Sequence, residues 1–173
     1  LARELGPNTI PGEETDRTTV RAYVVQMLAS AGDDGPMLGY VRQAVDDALD
    51  GKAPLEPATA DSLVTFAASR GDARLYDRFL AASKRATSPE DRFRYLNALT
   101  AFTDPALVQR SLDFALTPEL RSQDTPTFLA RLLGNPATNT RTWSFVKTHW
   151  GEFSPKALDF LGGANIGGAL GAF

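Results

Sequence analysis

The sequence predicts an all-α fold of stacked antiparallel helical hairpins, forming a HEAT/armadillo-like α-solenoid. Three observations lead there. Apolar residues recur at i, i+3, i+4 spacing along most of the 173 residues, and no convincing period-2 run interrupts them. Prolines recur directly behind short polar or glycine residues, the pattern of a helix N-cap followed by a first helical position that tolerates a missing N–H. Two such starts, Asp72-Ala73-Arg74-Leu75-Tyr76 and Asp104-Pro105-Ala106-Leu107-Val108, stand 32 residues apart and superimpose Leu75 on Leu107 and Leu80 on Leu112. A period of that size built from helix pairs is what a solenoid requires. An irregular all-α bundle is the alternative architecture, because amphipathic helices of equal length are weakly self-similar in any case.

Taken in order, the first stripe is Val20, Tyr23, Val24, Met27 and Leu28, and the second is Leu38, Val41, Ala44, Val45, Ala48 and Leu49. A third carries Leu63, Val64, Phe66 and Ala67, a fourth Leu75, Tyr76, Phe79 and Leu80, and a fifth Phe93, Leu96, Leu99 and Phe102. Leu107, Val108, Leu112 and Ala115 form the sixth, and Phe128, Leu129, Leu132 and Leu133 the seventh. Trp143, Val146 and Trp150 mark the eighth, with a ninth helix expected near 155–161. Each stripe buries one face of a helix and leaves the other to solvent. Gly35-Pro36, Ser88-Pro89, Asp104-Pro105, Thr117-Pro118, Asn135-Pro136 and Ser154-Pro155 read as helix starts, and Gly32, Gly51, Gly71, Gly134 and Gly151 as stops that adopt positive φ. Partner helices beginning near Ala58, Pro89 and Asp124 step by similar intervals. Trp143 and Trp150, seven residues apart, are expected to form the tightest inter-helix contact with Phe128 and Leu132.

The expected organisation is residues 1–14 as a linker or the end of a preceding domain, 15–160 as the helical-repeat domain, and 161–173 as a glycine-rich, truncated and poorly ordered tail. The start at Leu1, with no initiator Met or signal peptide, suggests a piece of a longer protein. Composition then narrows the function classes. A net charge of −3 gives no electrostatic reason to expect nucleic acid or an anionic membrane as a partner. The uncharged stretch 161–173 carries five glycines and falls short of the ~20 apolar residues that span a bilayer. A soluble protein of the cytoplasm or periplasm is expected. With no Cys, thiolate metal sites, disulfides and cysteine nucleophiles are absent from the chain, and its one histidine, His149, cannot supply a two-histidine zinc motif. No cofactor is therefore expected in this chain.

The remaining chemistry-bearing groups are few. His149 sits beside the Trp143, Val146 and Trp150 face and reads as a surface or capping group near a helix end. Asp46-Asp47 and Glu13-Glu14 are adjacent in sequence, and neighbours on a helix diverge by about 100°, so each pair reads as solvated charge rather than a catalytic dyad. Gly162-Gly163-Ala164-Asn165-Ile166-Gly167-Gly168 lacks the strand and the Lys-Ser or Lys-Thr of a phosphate loop. Arg121-Ser122-Gln123-Asp124-Thr125-Pro126 is the most polar compact cluster. It admits two readings. Asp124 or Ser122 caps the helix that carries Phe128 to Leu133, with Arg121 satisfying nearby carbonyls or a carboxylate, or Arg121 holds a substrate carboxylate on a concave face by a bidentate pair.

Three patterns occur in order: Thr87-Ser88-Pro89-Glu90-Asp91-Arg92, Leu116-Thr117-Pro118-Glu119-Leu120-Arg121-Ser122-Gln123-Asp124, and Trp143-Ser144-Phe145-Val146-Lys147-Thr148-His149-Trp150 ahead of Gly162-Gly163. Through them the chain resembles the C-terminal helical domain of aminopeptidase N-type zinc metallopeptidases, the group that includes the endoplasmic-reticulum and puromycin-sensitive aminopeptidases. The likeness covers about Ala58 to Gly163 well and Thr15 to Gly51 weakly, and the last helices of the family are expected to be missing or clipped after Phe173. It implies stacked helical hairpins in a bowl that closes over a separate catalytic domain. That domain would hold the zinc, through a His-Glu-x-x-His motif and a downstream Glu that this sequence does not contain. Catalytic and metal residues are accordingly none here, and only Arg121, Gln123 and Asp124 map onto a family pattern. The resemblance implies a non-catalytic domain that encloses the active-site cavity and helps select peptides, with the catalytic domain of the same polypeptide and the peptide substrate as partners. The alternative is a free-standing helical-repeat scaffold that binds a protein or peptide on its concave face.

Overall fold

In the computed structural model, residues 35–153 are described, and every regular element among them is a helix. They are α1 (Gly35–Leu49), α2 (Pro57–Ser69), α3 (Ala73–Arg85), α4 (Pro89–Ala98), α5 (Pro105–Leu116), α6 (Thr125–Gly134) and α7 (Asn139–Thr148). A further helical stretch occupies 150–153. The expected helix at 20–28, the one near 155–161 and the 161–173 tail lie outside the described residues, as do Gly32, Glu13-Glu14 and the Ser154-Pro155 start.

Local chemistry accounts for the helix starts. Asp72 Oδ1 accepts from the Leu75 N–H at 2.9 Å to open α3. Asp104 Oδ1 accepts from the N–H groups of Ala106 and Leu107, at 2.8 and 3.2 Å, to open α5. At α4 the cap is reciprocal: Ser88 Oγ accepts from the Asp91 N–H at 3.0 Å and donates to the Asp91 carboxylate at 2.9 Å. Pro89 and Pro105 stand in the first turn behind Ser88 and Asp104, and Pro57 in the first turn of α2 behind Glu56, which makes no side-chain cap; there a missing N–H costs nothing.

Thr117-Pro118 and Asn135-Pro136 do not start helices; both open turns. The Thr117 hydroxyl donates back to the Phe114 carbonyl at 2.8 Å, closing α5 rather than opening a new helix. Asn135 Oδ1 accepts from the Ala137 N–H at 3.0 Å, a side-chain turn that delays α7 until Asn139. Among the glycine stops within the described residues, only Gly51 has positive φ, at +73°. Gly71 serves a different need. A Cβ there would sit 2.7 Å from the Phe102 ring and 3.0 Å from the Ala67 carbonyl, so the turn between α2 and α3 passes too close to the core for a side chain.

Packing follows an alternating order. α1 lies against α2, α3 against α4 and α6 against α7, while α1 also meets α3, α2 meets α4 and α4 meets α6. Side-chain pairs cross the same intervals. Asp46 of α1 pairs with Arg78 of α3, and Asp77 of α3 with Arg110 of α5 at 2.6 Å. Asp61 of α2 pairs with Arg94 of α4 at 2.7 Å, and Arg92 of α4 with Asp124 at the entrance to α6 at 2.8 Å. Each of these four pairs spans 32 or 33 residues. The offset noted in the helix starts is thus also the offset at which alternate helices touch.

The core lies between the two sets of helices. Tyr76, Phe79 and Phe102 are at most 1% exposed, with ring centroids 5.2 Å apart for Tyr76 and Phe102 and 6.2 Å for Phe79 and Phe102. Leu99, Leu112, Leu129 and Leu132 are fully buried beside them. The fifth stripe needs adjustment: Phe93 is exposed, and Leu99 and Phe102 enter the core from beyond the end of α4.

The tryptophan expectation fails. Trp150 is 47% exposed and Trp143 only half-buried, whereas Thr142, Val146 and Phe153 are the buried residues of this region. The cause is the end of α7 at Thr148. His149 leaves helical geometry, so Trp150 does not continue the stripe and Phe153 turns inward instead.

Candidate functional site

The connection between α5 and α6, residues 117–124, carries the polar cluster singled out in the sequence. Leu120, 1% exposed, anchors its middle in the core. On one side Glu119 pairs with Lys84 of α3 at 2.6 Å. On the other, the Asp124 and Thr125 N–H groups donate to the Arg121 carbonyl at 2.9 and 3.2 Å, and the Thr125 hydroxyl donates to the same oxygen.

The three candidate residues separate here. Asp124 is 4% exposed, while Arg121 and Gln123 are exposed together with Ser122 between them. Asp124 occupies the N-cap position of α6 but its side chain accepts no N–H of that helix. The carboxylate instead accepts from Arg92 of α4. Among the described residues, the Arg121 side chain has no hydrogen-bond or ion-pair partner, so its five donors remain for another molecule or another part of the polypeptide. Arg92 enters the sequence patterns only as the end of Thr87-Ser88-Pro89-Glu90-Asp91-Arg92 and not as a candidate site residue. The signal that locates it is the 32-residue interval itself, which separates Arg92 from Asp124 as it separates the Asp72 and Asp104 caps.

Other candidates resolve into structural roles. His149 is the C-cap of α7; its Nδ1 lies 2.6 Å from Glu152 Oε1 and its ring 4.3 Å from that of Phe145. Asp46 and Asp47 are not merely solvated. Asp46 accepts from Arg78 across helices, and Asp47 from Gln43 within α1 at 3.0 Å. Arg94 is well enclosed, with 9% of its side chain exposed and Asp61, Glu90 and Asp91 around its guanidinium. Burial there opposes the charge, but the three carboxylates outweigh it and hold the Arg94 pKa above its ordinary value.

A cleft of about 470 Å³ between α1, α2 and α3 is lined by charges of both signs, including Arg42, Arg74 and Arg78 with Asp46, Asp50 and Asp72. Beside it, the hydrogen bond from Lys52 lowers the Asp50 pKa below the usual carboxylate value, although the group is solvent-exposed. Among the described residues no three His, Cys, Asp or Glu side chains converge on a point that could hold a metal ion, so the donor set does not fit zinc. No helix among them is long and apolar enough to cross a membrane.

Among the described residues, paired helices linked at a fixed interval define an all-α helical domain as the class of protein. The chain belongs to the ERAP1-like C-terminal domain family, whose model matches residues 1–172. It is 27% identical to Aminopeptidase M1-A of Oryza sativa subsp. japonica over 158 residues, which is 89% of this chain and 18% of that protein. It is 29% identical to Aminopeptidase M1 of Arabidopsis thaliana over 127 residues, 71% of this chain and 14% of that protein. Over 96 residues, 55% of this chain and 12% of the relative, it is 29% identical to Probable aminopeptidase 2 of Sulfurisphaera tokodaii. The chain therefore spans less than a fifth of the length of the curated relatives it matches.

Proposed function

We propose that this chain is the non-catalytic C-terminal domain of a zinc aminopeptidase, where it encloses the active-site cavity and helps select peptide substrates. The observation that carries this reading is the family match across residues 1–172 in a chain that spans only 18% of the aminopeptidase M1-A it resembles. In the parent enzyme, zinc held by the catalytic domain would polarise the scissile carbonyl and activate water. The residues of this chain act on access and orientation. Its hairpins, stacked as a HEAT-like solenoid, form a wall that limits which peptides reach the reacting bond, a role supported by the ion pairs that join residues 32 or 33 positions apart. Arg121 holds a peptide carboxylate, and Gln123 adds a neutral donor beside it. The partners are the catalytic domain of the same polypeptide and the peptide; neither nucleic acid nor membrane takes part.

Steady-state kinetics of the full-length enzyme test this reading. Arg121→Lys keeps the charge and loses the planar fork. It is expected to raise KM for longer peptides while leaving single-residue aminoacyl reporters unchanged, because a reporter cannot span from the reacting centre to Arg121. An equal effect on short and long substrates, or none on either, would remove Arg121 from peptide selection.

A further inference from the structure

The Arg92–Asp124 pair differs from the other ion pairs that link alternate helices. Its side chains are 17% and 4% exposed, whereas the carboxylates paired with Arg78, Arg94 and Arg110 are 43% to 80% exposed. A pair withdrawn from water is little screened, and losing one member strands the other's charge. Asp124 also gives up an ordinary task to make it. Asp72 and Asp104 cap their helices with their carboxylates, but Asp124, at the same position of α6, does not. The outcome is a connection fixed on both flanks: Leu120 in the core and Glu119 on Lys84 before the exposed segment, Asp124 on Arg92 after it. Between those anchors only Arg121, Ser122 and Gln123 face solvent.

We propose that Arg92 and Asp124 form a clasp whose work is to position the Arg121 to Gln123 segment for the carboxylate of a peptide. Arg92 is the positioning residue and touches no peptide itself. The proposal rests on the reading that Arg121 meets the substrate. A guanidinium that recognises a carboxylate through two parallel hydrogen bonds depends on direction, so a backbone that wanders forfeits much of the contact, and fixing it in advance removes an ordering cost at binding. A buried pair made with Arg92 of the preceding hairpin supplies that fixity without occupying any donor of Arg121.

The test compares Arg92→Lys, Asp124→Asn and Arg121→Lys in the full-length polypeptide. KM and kcat are measured for peptides of increasing length and for an aminoacyl reporter, and amide exchange is followed at residues 121–124. Asp124→Asn is expected to raise KM for long peptides about tenfold, the scale of one lost charged hydrogen bond. Its kcat and its reporter kinetics should match the parent, and the 121–124 amides should exchange faster. Combining it with Arg121→Lys should add nothing further, because both act on one contact. Asp124→Glu, which keeps the charge pair, should restore most of the affinity; it and Arg92→Lys serve as the readouts if Asp124→Asn does not fold. If Arg121→Lys raises KM for long peptides while the clasp variants do not, or if exchange at 121–124 is unchanged, the clasp is wrong and the peptide contact stands. If Arg121→Lys changes nothing while exchange at 121–124 accelerates in Asp124→Asn, the peptide reading fails instead and the pair is only a structural tie.

Discussion

Tyr76 shows how one side chain can join three elements. Ser111 donates its hydroxyl proton to the Leu99 carbonyl at 2.8 Å, so its oxygen must accept from Tyr76 at 3.1 Å, and the chain runs from α3 through α5 to the end of α4. Arg110 covers the tyrosine ring at 4.4 Å from its centroid. Removing the hydroxyl breaks a buried bond, and Tyr76→Phe is expected to lower unfolding stability by ~0.5–1.5 kcal/mol in urea titration. A pH signature accompanies it. Burial raises the Tyr76 pKa above its ordinary 10.0, against a smaller opposing effect of the Arg110 charge. A raised folded-state pKa gives stability that is complete below the unfolded value and is lost as pH climbs through the folded one. The parent should therefore weaken above pH ~10, and Tyr76→Phe should weaken less across that window, with Tyr95, raised by the same cause, contributing to what remains.

At the scale of elements, the stretch from α1 to α7 was largely legible by its apolar stripes, and α3, α4 and α5 announce themselves a second time by side-chain caps. What escaped was the behaviour of chain between helices. Thr117-Pro118 carries the same local signal as Asp104-Pro105, yet the Thr117 hydroxyl is spent on the helix behind it rather than the one ahead. Asp124 was legible as a polar residue before a helix, but its partner Arg92 is a tertiary neighbour that no local pattern marks. The aromatic stripe of α7 failed for a geometric reason: seven residues return to the same face only while the helix persists, and α7 ends at Thr148. A direct measurement distinguishes the two versions. Phe153→Ala, which empties a fully buried site, is expected to cost ~3–5 kcal/mol, and Trp150→Ala, at a half-exposed one, under ~1 kcal/mol. Denaturant unfolding with the reverse ranking would restore Trp150 to the core.

For the molecule as a whole, contacts between helices two apart in the chain are the recurring feature. Helices α1, α3 and α5 are tied by Asp46–Arg78 and Asp77–Arg110, and α2, α4 and α6 by Asp61–Arg94 and Arg92–Asp124. If hairpins stack in this way along one axis, the particle is longer than it is wide. Solution scattering of the monomeric 173-residue chain should then give a radius of gyration above the ~15–16 Å of a compact domain of this size, and a value at or below it would favour an irregular bundle.

The charge pairs recur at one spacing, and this bears on how such a chain could grow. An acid on one hairpin and an arginine 32 or 33 residues later form a join that refers only to its immediate neighbour. A tandem copy of one such unit arrives carrying both halves of the next join, so a single duplication event lengthens the wall without any compensating change elsewhere. An insertion of a few residues within a hairpin has no such licence, since it changes the spacing of every join that spans it, although later joins, with both halves shifted alike, keep theirs. Descendants of this architecture are thus expected to differ by whole units, and to vary in length between joins only where the chain loops free of them.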